Sequence, residues 1–394
     1  MQAKRILFYL EPVTYADSPF RLQGWLNFFN LFAKQSTAAF TSQIAASPLI
    51  CSLETTAFSE KYQLDQIQLL KASNFNRASY SRDLCFGFGY FNRPLLDALR
   101  EIKKSFFPEI VISVSENRYL KKVFGAQNVM FMELGPLPRN GVRPSVHVDP
   151  YGHQVSSALD WFSRSTWSHS SLRRFGDIWR ERWLEPVRRI GESSGVAAWL
   201  NEARGGKKLM LAALQPSDWI TYEGIGPTLD PVSLLRKISS EIDDDWLIVP
   251  QWHGSNVAPT NEMFDEIIRS QNNIVYLPPE FRMANSEVIF PEVDGVVTIS
   301  SNVAALGIVD GKRVDVVGNS KFRKVSSVSK NPRIDILAFL SSKYCRPLDD
   351  FLHIEGAFAD HIDRIHQNPK WLFDPSDIDS THLEAFFPAS PGTS

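Results

Sequence analysis

Asp218 and Glu133 are the carboxylates on which chemistry can be built. Asp218 stands in Leu214-Gln215-Pro216-Ser217-Asp218-Trp219, just past an apolar run that reads as a strand. Glu133 follows a second such run, Asn128-Val129-Met130-Phe131-Met132. One carboxylate from each half of the chain, both at strand ends facing one cleft, suits acid–base or nucleophilic work at a sugar carbon. Either one alone reads more plainly as a loop carboxylate; position makes the pair matter. His253, in Val249-Pro250-Gln251-Trp252-His253-Gly254-Ser255, follows the carboxyl end of another strand. Ligands of open α/β sheets sit there, and an imidazole at that edge can steady a leaving phosphate. The competing reading is a satisfied structural histidine. Glu280, in Leu277-Pro278-Pro279-Glu280, lies at the same edge. It can accept from ribose hydroxyls or offset a helix dipole.

Val296-Val297-Thr298-Ile299-Ser300-Ser301-Asn302-Val303-Ala304 is a buried strand running into small hydroxyl residues at a helix start. The N–H groups and dipole of a helix start attract anions, and the Ser300 and Ser301 hydroxyls add donors. A plain serine N-cap is the equal alternative. The missing motifs narrow the chemistry. There is no Walker A loop, no G-x-G-x-x-G opening a helix, no H-E-x-x-H, no C-x-x-C and no G-x-S-x-G. No D-x-D run is placed to hold a metal-bound nucleotide diphosphate; Asp243-Asp244-Asp245 comes just before a strand, at its amino end.

The elements that must position these residues follow an α/β rhythm. Ile6–Leu10, Glu109–Val114 and Asn128–Met132 are short apolar runs, with an amphipathic stretch from Leu95 to Phe106 between the first two. Continuous apolar runs are the mark of buried parallel strands. Ala203-Arg204-Gly205-Gly206-Lys207-Lys208 reads as a linker, and a second rhythm begins after it. Strands are expected at Leu209–Leu214, Trp246–Pro250, Asn273–Leu277, Gly295–Ile299 and Arg313–Val317. Helices are expected at Pro231–Ile242, capped by Asp230, at Asn261–Ser270 and at Phe281–Phe290. Two α/β halves with a crevice between them result.

Between the halves, Trp161 to Leu200 is rich in tryptophan and arginine and reads as one or two helices. The favoured reading packs the tryptophans on the domain and solvates the arginines. The alternative is a basic amphipathic surface on an anionic membrane.

Composition sets the class. The chain has 394 residues, 43% hydrophobic and 22% charged, which excludes disorder, collagen and a coiled coil for its bulk. Its 42 basic and 44 acidic side chains leave a net charge of −2, so no global positive field exists to hold nucleic acid. Cys51, Cys85 and Cys345 lack metal-ligand spacing and fit a reducing compartment. No stretch approaches the roughly 20 apolar residues of a membrane span. The opening run Lys4–Leu10 is cut by Glu11-Pro12, so it reads as a strand rather than a signal peptide. The expected location is cytoplasmic, or peripheral at the inner face of the inner membrane.

The order of motifs resembles the capsule polysaccharide synthesis family of bacterial Kdo transferases. Glu133-Leu134-Gly135-Pro136-Leu137, then Arg143-Pro144-Ser145-Val146-His147-Val148-Asp149-Pro150-Tyr151-Gly152 and Ser156-Ser157-Ala158-Leu159-Asp160, is similar to that family's acid-Gly, "SLV-D--G" and "pS-LE" segments. Gln215-Pro216-Ser217-Asp218 is similar to its Gln…Asp segment, and His253 sits where the family has His-Pro. Ser300-Ser301, Ala304-Ala305-Leu306-Gly307 and Gly311-Lys312-Arg313-Val314 resemble its "S-S…EAL--GK-V" segment. Gly254 replaces that proline, and Val303 replaces the acid before Ala304. The same order also resembles CMP-sialic acid transferases of GT-B architecture.

The resemblance implies a GT-B fold, two Rossmann-like domains facing a central cleft. Residues 1–204 would form the acceptor-side domain, completed by C-terminal helices at about 345–387, and 205–344 the CMP-sugar domain. Residues 388–394 would be a disordered tail or a linker, with fusion to further glycosyltransferase domains allowed. The donor would be CMP-β-Kdo, used without a metal and with retention. Asp218 would be the nucleophile and Glu133 would activate the acceptor hydroxyl; the reverse assignment, with Glu133 as nucleophile, is open. His253, Ser300, Ser301, Asn302 and Gln215 would hold the phosphate and Glu280 the ribose. The acceptor would be an oligosaccharide or lipid-linked glycan of lipopolysaccharide O-antigen or capsule. The alternatives are an inverting CMP-sialic-acid-type transferase, a nucleotide-sugar epimerase, and a non-catalytic glycan-binding module of an envelope-assembly complex.

Overall fold

The computed structural model describes residues 4–13, 19–34, 40–53, 57–135, 142–152, 154–162, 169–215, 230–252, 266–267, 269–275, 277–278, 281, 286–354, 356–373 and 385–387. The described strands, in chain order, are β1 (Lys4–Tyr9), β2 (Phe40–Ala46), β3 (Glu60–Gln63), β4 (Ile110–Ser113), β5 (Val129–Leu134), β6 (Ser145–Asp149), β7 (Lys208–Leu214), β8 (Trp246–Trp252), β9 (Gly295–Thr298), β10 (Arg313–Val316) and β11 (Cys345–Pro347). They form two sheets.

The first sheet runs β11-β6-β5-β4-β1-β2-β3. Its strands β1 to β5 are parallel, and β6 and β11 add antiparallel at one edge. Burial explains the apolar runs: every residue of Ile110–Ser113 is buried, as are the last four of β1. Helix Arg93–Phe106 covers one face with Leu95, Leu96, Leu99, Ile102 and Phe106. Asn92 starts it by accepting from the Leu95 N–H, with Pro94 in the first turn, where a missing N–H is harmless. The late strand β11 joins this first sheet, and helix Ala357–Gln367 packs beside it. Phe358 meets Phe32 at 4.5 Å, and His366 Nε2 meets Asn128 Oδ1 at 2.8 Å.

The second sheet runs β10-β9-β7-β8, all parallel. Beyond β8 a single parallel bridge joins Ile248 to Ile274. Of the strand expected at Asn273–Leu277, the described residues show this one bridge; Tyr276 lies outside them. Pro278 follows Leu277 at once, and a proline cannot donate to a ladder. Counting that bridge third within its half, both sheets follow the order 3-2-1-4-5 of a Rossmann-like unit. Of the helix expected over Phe281–Phe290, the described residues include helical Phe281 and the turn Ser286–Ile289, which tightens to 3₁₀ at Phe290–Glu292, where Pro291 sits; residues 282–285 lie outside the described residues. The helix expected at Asn261–Ser270 lies mostly outside the described residues.

The tryptophan- and arginine-rich segment forms helices that include His169–Trp179, Glu185–Ser194 and Val196–Ala203. Trp179 and Trp183 are fully buried, with ring centroids 4.8 Å apart, and Trp183 lies 5.7 Å from Phe290 of the second half. These two rings belong to the core and are not available to a membrane; Trp161 is half exposed, and Trp167 lies outside the described residues. Trp183→Phe is expected to destabilise the fold by about 1–3 kcal/mol, because a smaller ring leaves a void between the halves. Urea unfolding measures this, and an unchanged midpoint would contradict the packing. No helix of the described residues is long and apolar enough to cross a membrane.

Candidate functional site

In the second sheet the chain leaves β7 in opposite directions, to β8 on one side and β9 on the other. The carboxyl ends of β7 and β9 thus flank a topological switch point, the place where open α/β sheets bind ligands. Gln215 follows β7 and Ser300 follows β9. The Ser300 N–H and hydroxyl both donate to Gln215 Oε1, at 2.9 and 3.1 Å. Thr298 Oγ1 donates to the Ala213 carbonyl at 3.2 Å and accepts from the Ser301 N–H at 3.2 Å. Ser301 Oγ accepts from Val303 N–H at 3.4 Å, at the start of helix Val303–Asp310. Asn302 stands in the N-cap position, and its side chain makes no cap hydrogen bond.

Of the sequence-predicted phosphate group, the structure therefore joins Gln215, after β7, to the turn Ser300-Ser301-Asn302, after β9. Gln215 is the brace of that turn: it holds the Ser300 donors that an incoming anion would have to win. Asp218, His253 and Glu280 lie outside the described residues. Leu214 and Trp252 are paired in register at the ends of β7 and β8. His253 follows Trp252 directly.

The first sheet presents Glu133 near the carboxyl end of β5, with its side chain about one-third exposed. Register places Glu133 opposite His147 of β6, and His147 opposite Cys345 of β11. Residues directly opposite one another share a face, so the three form one row. His147 and Cys345 are fully buried. Burial holds the His147 imidazole below its ordinary value; the Lys321 charge acts in the same direction and Asp149 opposes it. Burial pushes the Cys345 thiol up. Lys321 arrives from the other half, five residues past Val316 at the end of β10, with Nζ 3.9 Å from Glu133 Oε2. Its backbone N–H donates to the Gln154 carbonyl at 2.8 Å. The carboxyl edges of the two sheets meet at this contact.

Two acids to which the sequence reading gave no role build the loop after β6. Asp149 accepts from the N–H groups of Tyr151, Gly152 and Ala158 and from the Ser157 hydroxyl, at 2.7–3.3 Å. Glu116, three residues beyond β4, accepts from the N–H groups of Gln154, Val155 and Ser156, each at 3.1 Å. Val155 then packs with Met210, Ala212, Leu214 and Ile299 of the second half. The stretch that carried the "D--G" resemblance is thus an ordered bridge between the halves. An acid just past a buried strand was the available signal for Glu116. Among the described residues, no group of three or more His, Cys, Asp or Glu side chains is placed to hold a metal ion.

Two Rossmann-like α/β units whose carboxyl edges meet define a GT-B-like architecture. No family model matches the chain, and no curated protein matches it. Among solved structures, the chain is similar to the β-Kdo 2,7-transferase KpsC of Thermosulfurimonas dismutans. The identity is 13%, over 92% of this chain and 99% of that one, with a TM-score of 0.47. It is also similar to the α,α-trehalose 6-phosphate synthase of Burkholderia multivorans, at 9% identity over 97% and 94% of the two chains, TM-score 0.36. A third is the S. aureus MnaA–UDP structure, at 10% identity over 96% and 92%, TM-score 0.31.

Proposed function

We propose that this chain is a glycosyltransferase that moves Kdo from CMP-β-Kdo to a saccharide acceptor with retention of configuration. The carrying observation is the facing of the two carboxyl edges. Glu133 stands on one edge, and the Gln215–Ser300–Ser301 turn stands at the switch point of the other. The ordered likeness of the flanking segments to bacterial Kdo transferases supplies the sugar and the nucleotide. In this reading the second half binds CMP, with Ser300, Ser301, Asn302 and His253 at the phosphate and Glu280 at the ribose. The first half, completed by residues 345–387, receives the acceptor, a glycan of lipopolysaccharide or capsule.

The chemistry is two displacements. A carboxylate oxygen of Asp218 attacks the anomeric carbon, and the bond to the phosphate oxygen breaks with its electron pair going to CMP. The acceptor hydroxyl then attacks the same carbon, loses its proton to Glu133 and releases Asp218. Two inversions give retention.

Intact-protein mass spectrometry after incubation with freshly generated CMP-β-Kdo and no acceptor tests this. One added Kdo mass on the wild-type protein is the expected result. No adduct, with CMP released once a glycan acceptor is supplied, keeps the transferase and discards the covalent step. No adduct and no CMP binding rejects the reading in favour of a glycan-binding module.

A further inference from the structure

Lys321 is a buried lysine, 2% exposed, at the first position of helix Lys321–Val328. A buried ammonium is tolerated only when an anion or acceptors compensate its lost hydration. Among the described residues, Glu133 is the one carboxylate within 4 Å of it, and no side chain or carbonyl stands within hydrogen-bonding distance of Nζ. The Phe322 ring lies 5.2 Å from Nζ, and the buried His147 and Cys345 are near enough to feel the Lys321 charge. Asp149, on the same strand as His147, already accepts from four donors. The lysine itself is fixed at a helix start and tied by its N–H to Gln154. It therefore offers a fixed charge to a glutamate whose side chain is otherwise partly free in the crevice.

We propose that Lys321 is a positioning residue: reaching across from the second half, it holds the Glu133 carboxylate at the place from which it takes the acceptor's proton. This rests on the functional reading above and extends it. It makes the geometry of the base depend on how the two halves sit together, since base and anchor belong to different sheets.

The test uses the full chain and follows CMP release from CMP-β-Kdo, with water as the acceptor. Four variants are compared: Glu133→Gln, Lys321→Met, Lys321→Arg and the double variant Glu133→Gln/Lys321→Met. Lys321→Met is expected to lower kcat on the order of 10- to 100-fold, the usual cost of a group displaced by about 1 Å. The donor KM should stay within about threefold, because the CMP turn is not touched. Lys321→Arg should recover most of the rate. The double variant should be no slower than Glu133→Gln alone, since the lysine acts through the glutamate. CMP binding by calorimetry checks that each variant is folded, and Lys321→Gln replaces Lys321→Met if the latter fails that check. A wild-type kcat in the neutral Lys321 variant, or losses that multiply in the double variant, overturns the proposal. If Glu133→Gln itself turns over at the wild-type rate, the base assignment falls and takes this proposal with it. A slow Glu133→Gln with a fast Lys321→Met removes Lys321 alone.

Discussion

Asp218→Ala is expected to slow sugar transfer by about 10⁴-fold or more while CMP binds with unchanged affinity. Removing the attacking atom of a covalent mechanism leaves binding and electrostatic stabilisation in place, and losses of that order are typical. A factor of 10⁴ corresponds to about 5.5 kcal/mol of transition-state stabilisation. CMP affinity should hold because the turn proposed to meet the phosphate is braced from elsewhere: both Ser300 donors go to Gln215, three residues before Asp218. The two carboxylates can be told apart on one mass spectrum. Asp218→Ala should form no Kdo adduct. Glu133→Gln blocks only the second displacement, slowing turnover by about 10²- to 10⁴-fold, so the adduct should accumulate. The opposite pattern, an adduct on Asp218→Ala and none on Glu133→Gln, would make Glu133 the nucleophile.

The sequence made the parallel strands readable because they are buried on both faces. Ile110–Ser113 and Gly295–Thr298 are apolar without alternation, and each is fully buried. The position of Ser300 and Ser301 was readable for the same reason, since they follow such a strand. Their hydrogen-bonding partner was harder to see. Gln215 and Ser300 are 85 residues apart and meet only because β7 and β9 are neighbours in the sheet, a pairing no local pattern specifies. Lys321 was invisible for a different reason. A lysine opening a basic helix reads as solvated, and here the opposing half of the molecule covers it.

Glu116→Ala is expected to cost about 5 kcal/mol of stability, a large share of the 5–15 kcal/mol that holds an ordinary domain together. The carboxylate is buried and accepts three backbone N–H bonds from consecutive residues, Gln154, Val155 and Ser156. Alanine would leave those donors without their acceptor, at about 1–3 kcal/mol each. Asp149 is not free to take over, because it already serves Tyr151, Gly152, Ser157 and Ala158. Gly152 gives an independent handle on the same contact. Its φ of +144° disfavours any side chain, and a Cβ there would stand 2.0 Å from Glu116 Oε1 and 2.4 Å from the Ser156 carbonyl oxygen. Gly152→Ala must therefore push the carboxylate or the loop away, and it should destabilise in the same direction as Glu116→Ala. Because both changes disrupt one contact, the double variant should lose less than the two single losses added together. Urea unfolding gives the magnitudes. Proteolysis of the native protein should show new cleavage within residues 150–158, since that loop would lose its tie to β4 while keeping its tie to β6. An unchanged urea midpoint in Glu116→Ala would mean that Asp149 and the packing of Val155 against Leu214 and Ile299 hold the bridge by themselves.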